Sequence, residues 1–143
     1  MYSVLLVAKY IIKHCNDNHM PVSNLKLQKL LYFVQAEFLV NTGMPCFPEE
    51  IEAWDFGPVV PVAYHKYKVY GSSSIPYTDV GLIGRITSDD QRRINEIVDE
   101  CAQYTASQLV EITHRQTPWI EAYAPYRSNI ISKRSIRDFF TDN

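Results

Sequence analysis

Five groupings of side chains have residue types that could do chemistry, and spacing decides what each can do. His14, Cys15 and His19 come nearest to a metal site. On a helix, however, His14 and Cys15 point about 100° apart, and no second ligand cluster of zinc-site spacing follows. Nucleophilic catalysis lacks its local frames: there is no Gly-x-Ser-x-Gly elbow, no P-loop and no Gly-x-Gly-x-x-Gly run. His65 or His114 could meet a cysteine only through the tertiary fold. Glu49, Glu50 and Glu52 read as a solvated acidic edge rather than a general acid and base. Arg127, Lys133, Arg134 and Arg137 form a basic segment that could touch phosphates, and otherwise make a solvated helix face. The fifth grouping is an aromatic belt: Trp54, Phe56, Tyr64, Tyr67, Tyr70 and Tyr77, then Trp119, Tyr123 and Tyr126. Such rings combine large apolar area with a polar tip, which suits both core positions and binding surfaces. No metal, cofactor or catalytic residue is expected.

The elements that must position these groups follow from periodicity. Residues 3–16 predict a first helix, with Val4, Ala8, Ile11, Ile12 and Cys15 on one face and Lys9 and Lys13 off it. Asn16-Asp17-Asn18 stops it. Ser23 or Asn24 caps a second helix in which Leu27, Leu30, Leu31, Val34 and Phe38 recur at helical spacing, ended by Gly43 and Pro45. Tyr32, Phe33 and Leu39 widen its apolar arc, so it should be central and packed on two sides. Its position after a short turn also mimics a helix-turn-helix, though it carries few polar groups to read base edges.

Residues 47–57 alternate with period two and predict a short strand or extended segment. Gly57 and Pro58 punctuate, and Pro58 or Pro61 opens a third helix that runs to about Tyr70 with Val60, Tyr64 and Tyr67 on one face. Gly71 ends it. Residues 71–87 read as a loop or loose hairpin anchored by Ile75, Tyr77, Ile83 and Ile86. Ser88-x-x-Gln91 and Thr105-x-x-Gln108 are capping boxes, the first before Ile94, Ile97, Val98 and Cys101, the second opening a helix to about His114. Thr117-Pro118 starts a brief helix with Trp119, Ile120 and Tyr123. Ser132 caps a last one with Ile136, Phe139 and Phe140.

The 143 residues suit one domain over 1–143, long enough to hold a core without disulfide or metal. Apolar residues are 46% and charged residues 21%, which is too apolar for disorder. The net charge of −2 supplies no overall attraction to nucleic acid. Three separated cysteines, Cys15, Cys46 and Cys101, fit two buried thiols and one loop thiol in a reducing compartment. The opening Met1 to Ala8 lacks a basic region before its apolar run, and no stretch reaches the ~18 apolar residues of a membrane span. A cytoplasmic, soluble chain is expected.

Three segments carry a family resemblance. Leu27-Gln28-Lys29-Leu30-Leu31-Tyr32-Phe33, Ala53-Trp54-Asp55-Phe56-Gly57-Pro58-Val59-Val60-Pro61 and Tyr64-His65-Lys66-Tyr67-Lys68-Val69-Tyr70-Gly71 resemble the Panacea domain, the family of SocA-like antitoxins and GepA-like phage-associated proteins. Leu109 to His114 and Pro118-Trp119 are similar to its carboxy-terminal signature, and the order holds from near residue 4 to about residue 140. The resemblance implies a mainly α, compact domain of about six helices with a few short strands. It implies a non-enzymatic antitoxin or prophage accessory protein that neutralises a cognate toxin, encoded by the adjacent gene, by direct binding or by delivery to a protease such as a Clp-type complex.

On that reading Trp54, Phe56, Tyr64, Tyr67, Tyr70, His114 and Trp119 are the partner-binding set. Gly57, Pro58 and Pro61 are then the structural motif that places them. Two other classes stay open: a small DNA-binding regulator of a mobile-element operon, on the basic segment, and a hydrolase centred on His114 and Trp119.

Overall fold

The computed structural model describes residues 1–77 and 83–142, apart from the side chain of Ile83. Among the described residues the chain is 61% helical, with seven α-helices and a small three-stranded sheet, in line with a mainly α fold. The helices are α1 (Val4–Asp17), α2 (Asn24–Asn41), α3 (Pro61–Tyr67), α4 (Ser88–Cys101), α5 (Ala106–His114), α6 (Thr117–Ala122) and α7 (Lys133–Asp142). The strands are β1 (Ile51–Trp54), β2 (Gly57–Val59) and β3 (Ile130–Ile131), in sheet order β2-β1-β3, all antiparallel.

The central helix is α2. Ser23 caps it by accepting from the amide of Lys26, and it packs against α1, α3, α4, α5, α7 and β2. Leu27, Leu30, Leu31, Tyr32 and Val34 are sealed from solvent. Being enclosed, α2 has no free face to lay in a DNA groove, which removes the helix-turn-helix reading. Four polar side chains are buried on it, and each holds backbone of the segment that follows. Gln35 accepts from the Cys46 amide at 2.8 Å and donates to the Phe47 carbonyl at 2.8 Å. Gln28 accepts from the Val60 amide at 2.9 Å, Lys29 donates to the Pro58 carbonyl at 2.9 Å, and Asn24 donates to the Tyr64 carbonyl at 3.1 Å. Backbone groups buried between elements need such partners. The helix thus works as a post to which residues 46–64 are tied.

Those residues form a hairpin. Glu52, Ala53 and Trp54 face Val59, Pro58 and Gly57 across a turn made by Asp55 and Phe56. Asp55 and Phe56 keep negative φ and Gly57 takes φ +100°, the place for glycine after a tight turn. Pro58 lies in β2, an edge strand where a missing amide is tolerated, and not in a helix. Pro61 is the proline that opens α3, and the expected third helix tightens into a 3-10 turn over Lys68–Tyr70.

Local chemistry explains the remaining agreements and departures. Thr105 and Gln108 complete their reciprocal box. The other box is shifted: Thr87, not Ser88, caps α4 by accepting from the Asp90 amide, and Gln91 donates to the Ile86 carbonyl at 2.9 Å. Ile86 is buried immediately before Thr87, and its docking sets the phase of the helix start. Ser132 accepts from the Ser135 amide at 3.0 Å, as a cap for α7 should. Ile75 and Ile86 anchor the 71–87 segment. It forms no strand among its described residues; part of it, and the Ile83 anchor, lie outside them.

All three thiols are buried, including Cys46 of the loop before β1. Burial pushes Cys15 and Cys101 up to about 11 and Cys46 to about 12. Among the described residues no helix is long and apolar enough to cross a membrane.

Candidate partner-binding face at the hairpin turn

The β1–β2 turn projects Phe56 into solvent, with 67% of its surface exposed. Its backbone is gripped from one side by α5 and α6. Trp119 donates its indole N–H to the Trp54 carbonyl at 2.8 Å. His114 Nε2 lies 2.9 Å from the Asp55 carbonyl oxygen, and so acts as the donor in that contact. The Tyr123 hydroxyl donates to Asp55 Oδ1 at 2.5 Å, and this hydrogen bond, with burial, raises the phenol above its ordinary value. The three gripping rings stack on one another, His114 on Trp119 at 4.1 Å and Trp119 on Tyr123 at 4.5 Å between centroids. On the other side the Trp54 ring meets Tyr64 edge-on at 4.9 Å and donates to Glu52 at 2.8 Å. From below, Lys29 and Thr113 close in on Gly57, where an added Cβ would lie 2.8 Å from Lys29 Cε and 2.8 Å from Thr113 Oγ1.

The sequence-derived set is therefore divided by the fold. Trp54, Phe56, Tyr64, His114 and Trp119 gather around one turn, although Trp54 and Trp119 are 65 positions apart in the chain. Tyr67 is buried in the core at 7% exposure and drops out of any exposed subset. Tyr70 is half-buried and lines a different cleft with Ile12, Pro76 and Tyr77. Gly57 and Pro58 are buried under the turn, and Pro61 starts α3.

Sequence reasoning passed over Asp55, Tyr123 and Lys29 as members of this site. Tyr123 was visible in the aromatic belt. Lys29 was visible as a cation inside a leucine run. Asp55 carried no signal beyond its place next to Trp54. Nearby, Ile120 is half exposed and Tyr126 fully so, at a left-handed φ of 63°.

The other groupings have different settings. His14 lies 2.8 Å from Asp99, while Cys15 points into the core. Lys133 is engaged with the Pro48 carbonyl at 3.2 Å and Glu50 at 3.4 Å, and Arg134 lies 3.8 Å from Asp138. Arg127 and Arg137 are exposed. An open apolar groove of about 450 Å³ runs between α2, α4, α5 and α7 but includes neither His114 nor Trp119, so it lends nothing to a hydrolase there.

The segments that build this domain, the buried central helix and the hairpin with its aromatic turn, lie within the match to a known protein family. The chain belongs to the family described as antitoxin SocA-like, Panacea domain, which matches residues 27–120. That span holds α2 from Leu27 onward, the hairpin and the gripping ring of Trp119, and stops short of Tyr123. The chain is also similar to Antitoxin SocA of Caulobacter vibrioides (strain NA1000 / CB15N), with 34% identity over 124 residues, covering 79% of this chain and 66% of that protein. It thus spans about two thirds of that relative's length. No solved structure matches the chain.

Proposed function

We propose that this chain is a non-enzymatic antitoxin that neutralises a toxin, encoded by the adjacent gene, through direct protein–protein contact at the hairpin-turn face. Family membership and the relative's name support the role. The observation that carries the site is Phe56, an exposed ring on a turn whose backbone is fixed from several directions. A large apolar side chain on a backbone already fixed in place costs little backbone ordering on binding, which favours an interface anchor. Trp54 and Tyr64 flank it with half-buried rings.

Occlusion of the toxin needs only this face. Delivery to a protease such as a Clp-type complex needs a further contact and shortens the toxin's lifetime. The test is co-expression with the adjacent gene product, followed by pull-down, growth rescue and toxin half-life. Co-purification with rescue supports the reading. Rescue without complex formation, or complex formation that survives every change at the turn, overturns it.

A further inference from the structure

We propose that Lys29 is the positioning residue of this face: its side-chain amine sets where the Trp54–Pro58 turn sits, and hence where Phe56 is presented. The inference rests on the functional reading above and deepens it. Lys29 is fully buried on α2, and its Nζ donates to the Pro58 carbonyl at 2.9 Å. Among the described residues no carboxylate forms an ion pair with it. Burial lowers its pKa to about 7.

A buried amine of this kind is a burden on stability: taking it out of water costs more than leaving the single Pro58 carbonyl without its donor, so an apolar side chain of similar volume should be as stable or more so. Core packing therefore does not account for a lysine here, whereas the reach of its stem does. The neutral amides Asn24, Gln28 and Gln35 fix backbone elsewhere along the same helix. Under the turn the contact is unusually close: no side chain fits on Gly57 without displacing Lys29 or Thr113. The turn therefore rests on the lysine, while His114, Trp119 and Tyr123 hold it laterally.

The chain has two tryptophans, Trp54 and Trp119, and both belong to this turn, so intrinsic fluorescence reports on its position. In the full chain, Lys29→Met should keep or raise the melting temperature and move tryptophan emission to longer wavelength as the indoles lose their packing. It should weaken binding of the adjacent-gene toxin about tenfold, equivalent to about 1.4 kcal/mol. Lys29→Gln keeps a donor too short to reach Pro58 and should give the same emission shift. Wild-type emission in either folded variant overturns the inference. So does a Met variant that fails to fold or melts well below wild type, because the amine would then be holding the core. Shifted emission with unchanged toxin binding leaves Lys29 as the residue that positions the turn and overturns the functional reading alone.

Discussion

The indole N–H of Trp119 meets the carbonyl of Trp54 at 2.8 Å, joining residues 65 positions apart in the chain. The bond turns a two-residue loop, which alone would be mobile, into part of a scaffold, because the same indole is stacked between His114 and Tyr123. Trp119→Phe removes the donor and leaves a smaller ring in the stack. It should cost at least about 1 kcal/mol of stability, the usual worth of the hydrogen bond alone, read as a lower urea midpoint at unchanged slope. An unchanged midpoint would mean water replaces the indole at no cost and the turn is not held from this side.

The centrality of α2 has a direct measure. Leu31 is sealed from solvent on a helix that packs against several elements, so Leu31→Ala should lose roughly 2–5 kcal/mol through transfer and cavity terms together. The spread depends on how far the surrounding elements can collapse onto the vacancy. A denaturation midpoint equal to wild type would contradict the post-like role of the helix.

Gly57 is constrained twice, by its φ of +100° and by the closeness of Lys29 and Thr113. Gly57→Val should therefore be worse than a surface substitution in a turn, with the hairpin displaced and toxin neutralisation lost. Gly57→Ala should fail more mildly than Val, since one methyl needs Lys29 and Thr113 to give way less, though the strain at φ +100° stays. If the Val variant folds and neutralises normally, neither constraint is real.

These features differ in how far sequence could show them. The central helix was legible because leucines at helical spacing are a local pattern, and so was the Thr105–Gln108 box. The glycine requirement at 57 also followed from its place after an alternating run. β3 was not legible, because two residues are too few for a period-two signal. Nor was the contrast between buried Tyr67 and exposed Phe56: both are aromatic residues in one motif, and only the angle at which α3 leaves the hairpin separates them. The burial of Lys29 escaped notice because a lysine in a leucine run usually snorkels to solvent, and only the hairpin laid across it prevents that.

Lys29 also makes stability depend on pH. Its pKa falls from 10.5 to about 7 on folding, so the unfolded chain binds more protons between those values and stability rises with pH there, by up to about 1.4 kcal/mol per unit. The penalty is full below about 7 and is relieved toward 10.5. The thiols act in the opposite sense: raised from 9.0 to about 11 or 12, they contribute stability that is complete below 9.0 and lost above it. Wild-type stability should therefore rise from pH 7 to about 9 and then level or fall. Subtracting the urea-derived profile of Lys29→Met isolates the lysine. A flat difference between pH 7 and 9 would show that Lys29 titrates as in water.

The functional reading turns on Phe56. It is exposed, makes no hydrogen bond and sits at the tip of the turn, so Phe56→Ala should leave the melting temperature nearly unchanged. Strong interface anchors are worth about 2 kcal/mol or more, so the same change should weaken toxin binding about thirtyfold or more. Charge offers the competing account. Arg127, Lys133, Arg134 and Arg137 could attract an acidic toxin or a nucleic-acid backbone, and a contact made by them would weaken steeply with salt. The two accounts part in one experiment: growth rescue and pull-down for Phe56→Ala, Trp54→Ala and Tyr64→Ala, each checked for folding, beside a variant with the four cations neutralised. Loss confined to the aromatic variants, with binding insensitive to salt, fits a contact made by rings on a fixed turn. Full rescue by every folded aromatic variant, with rescue lost only when the cations are removed, would sink that idea and move the contact to the basic segment.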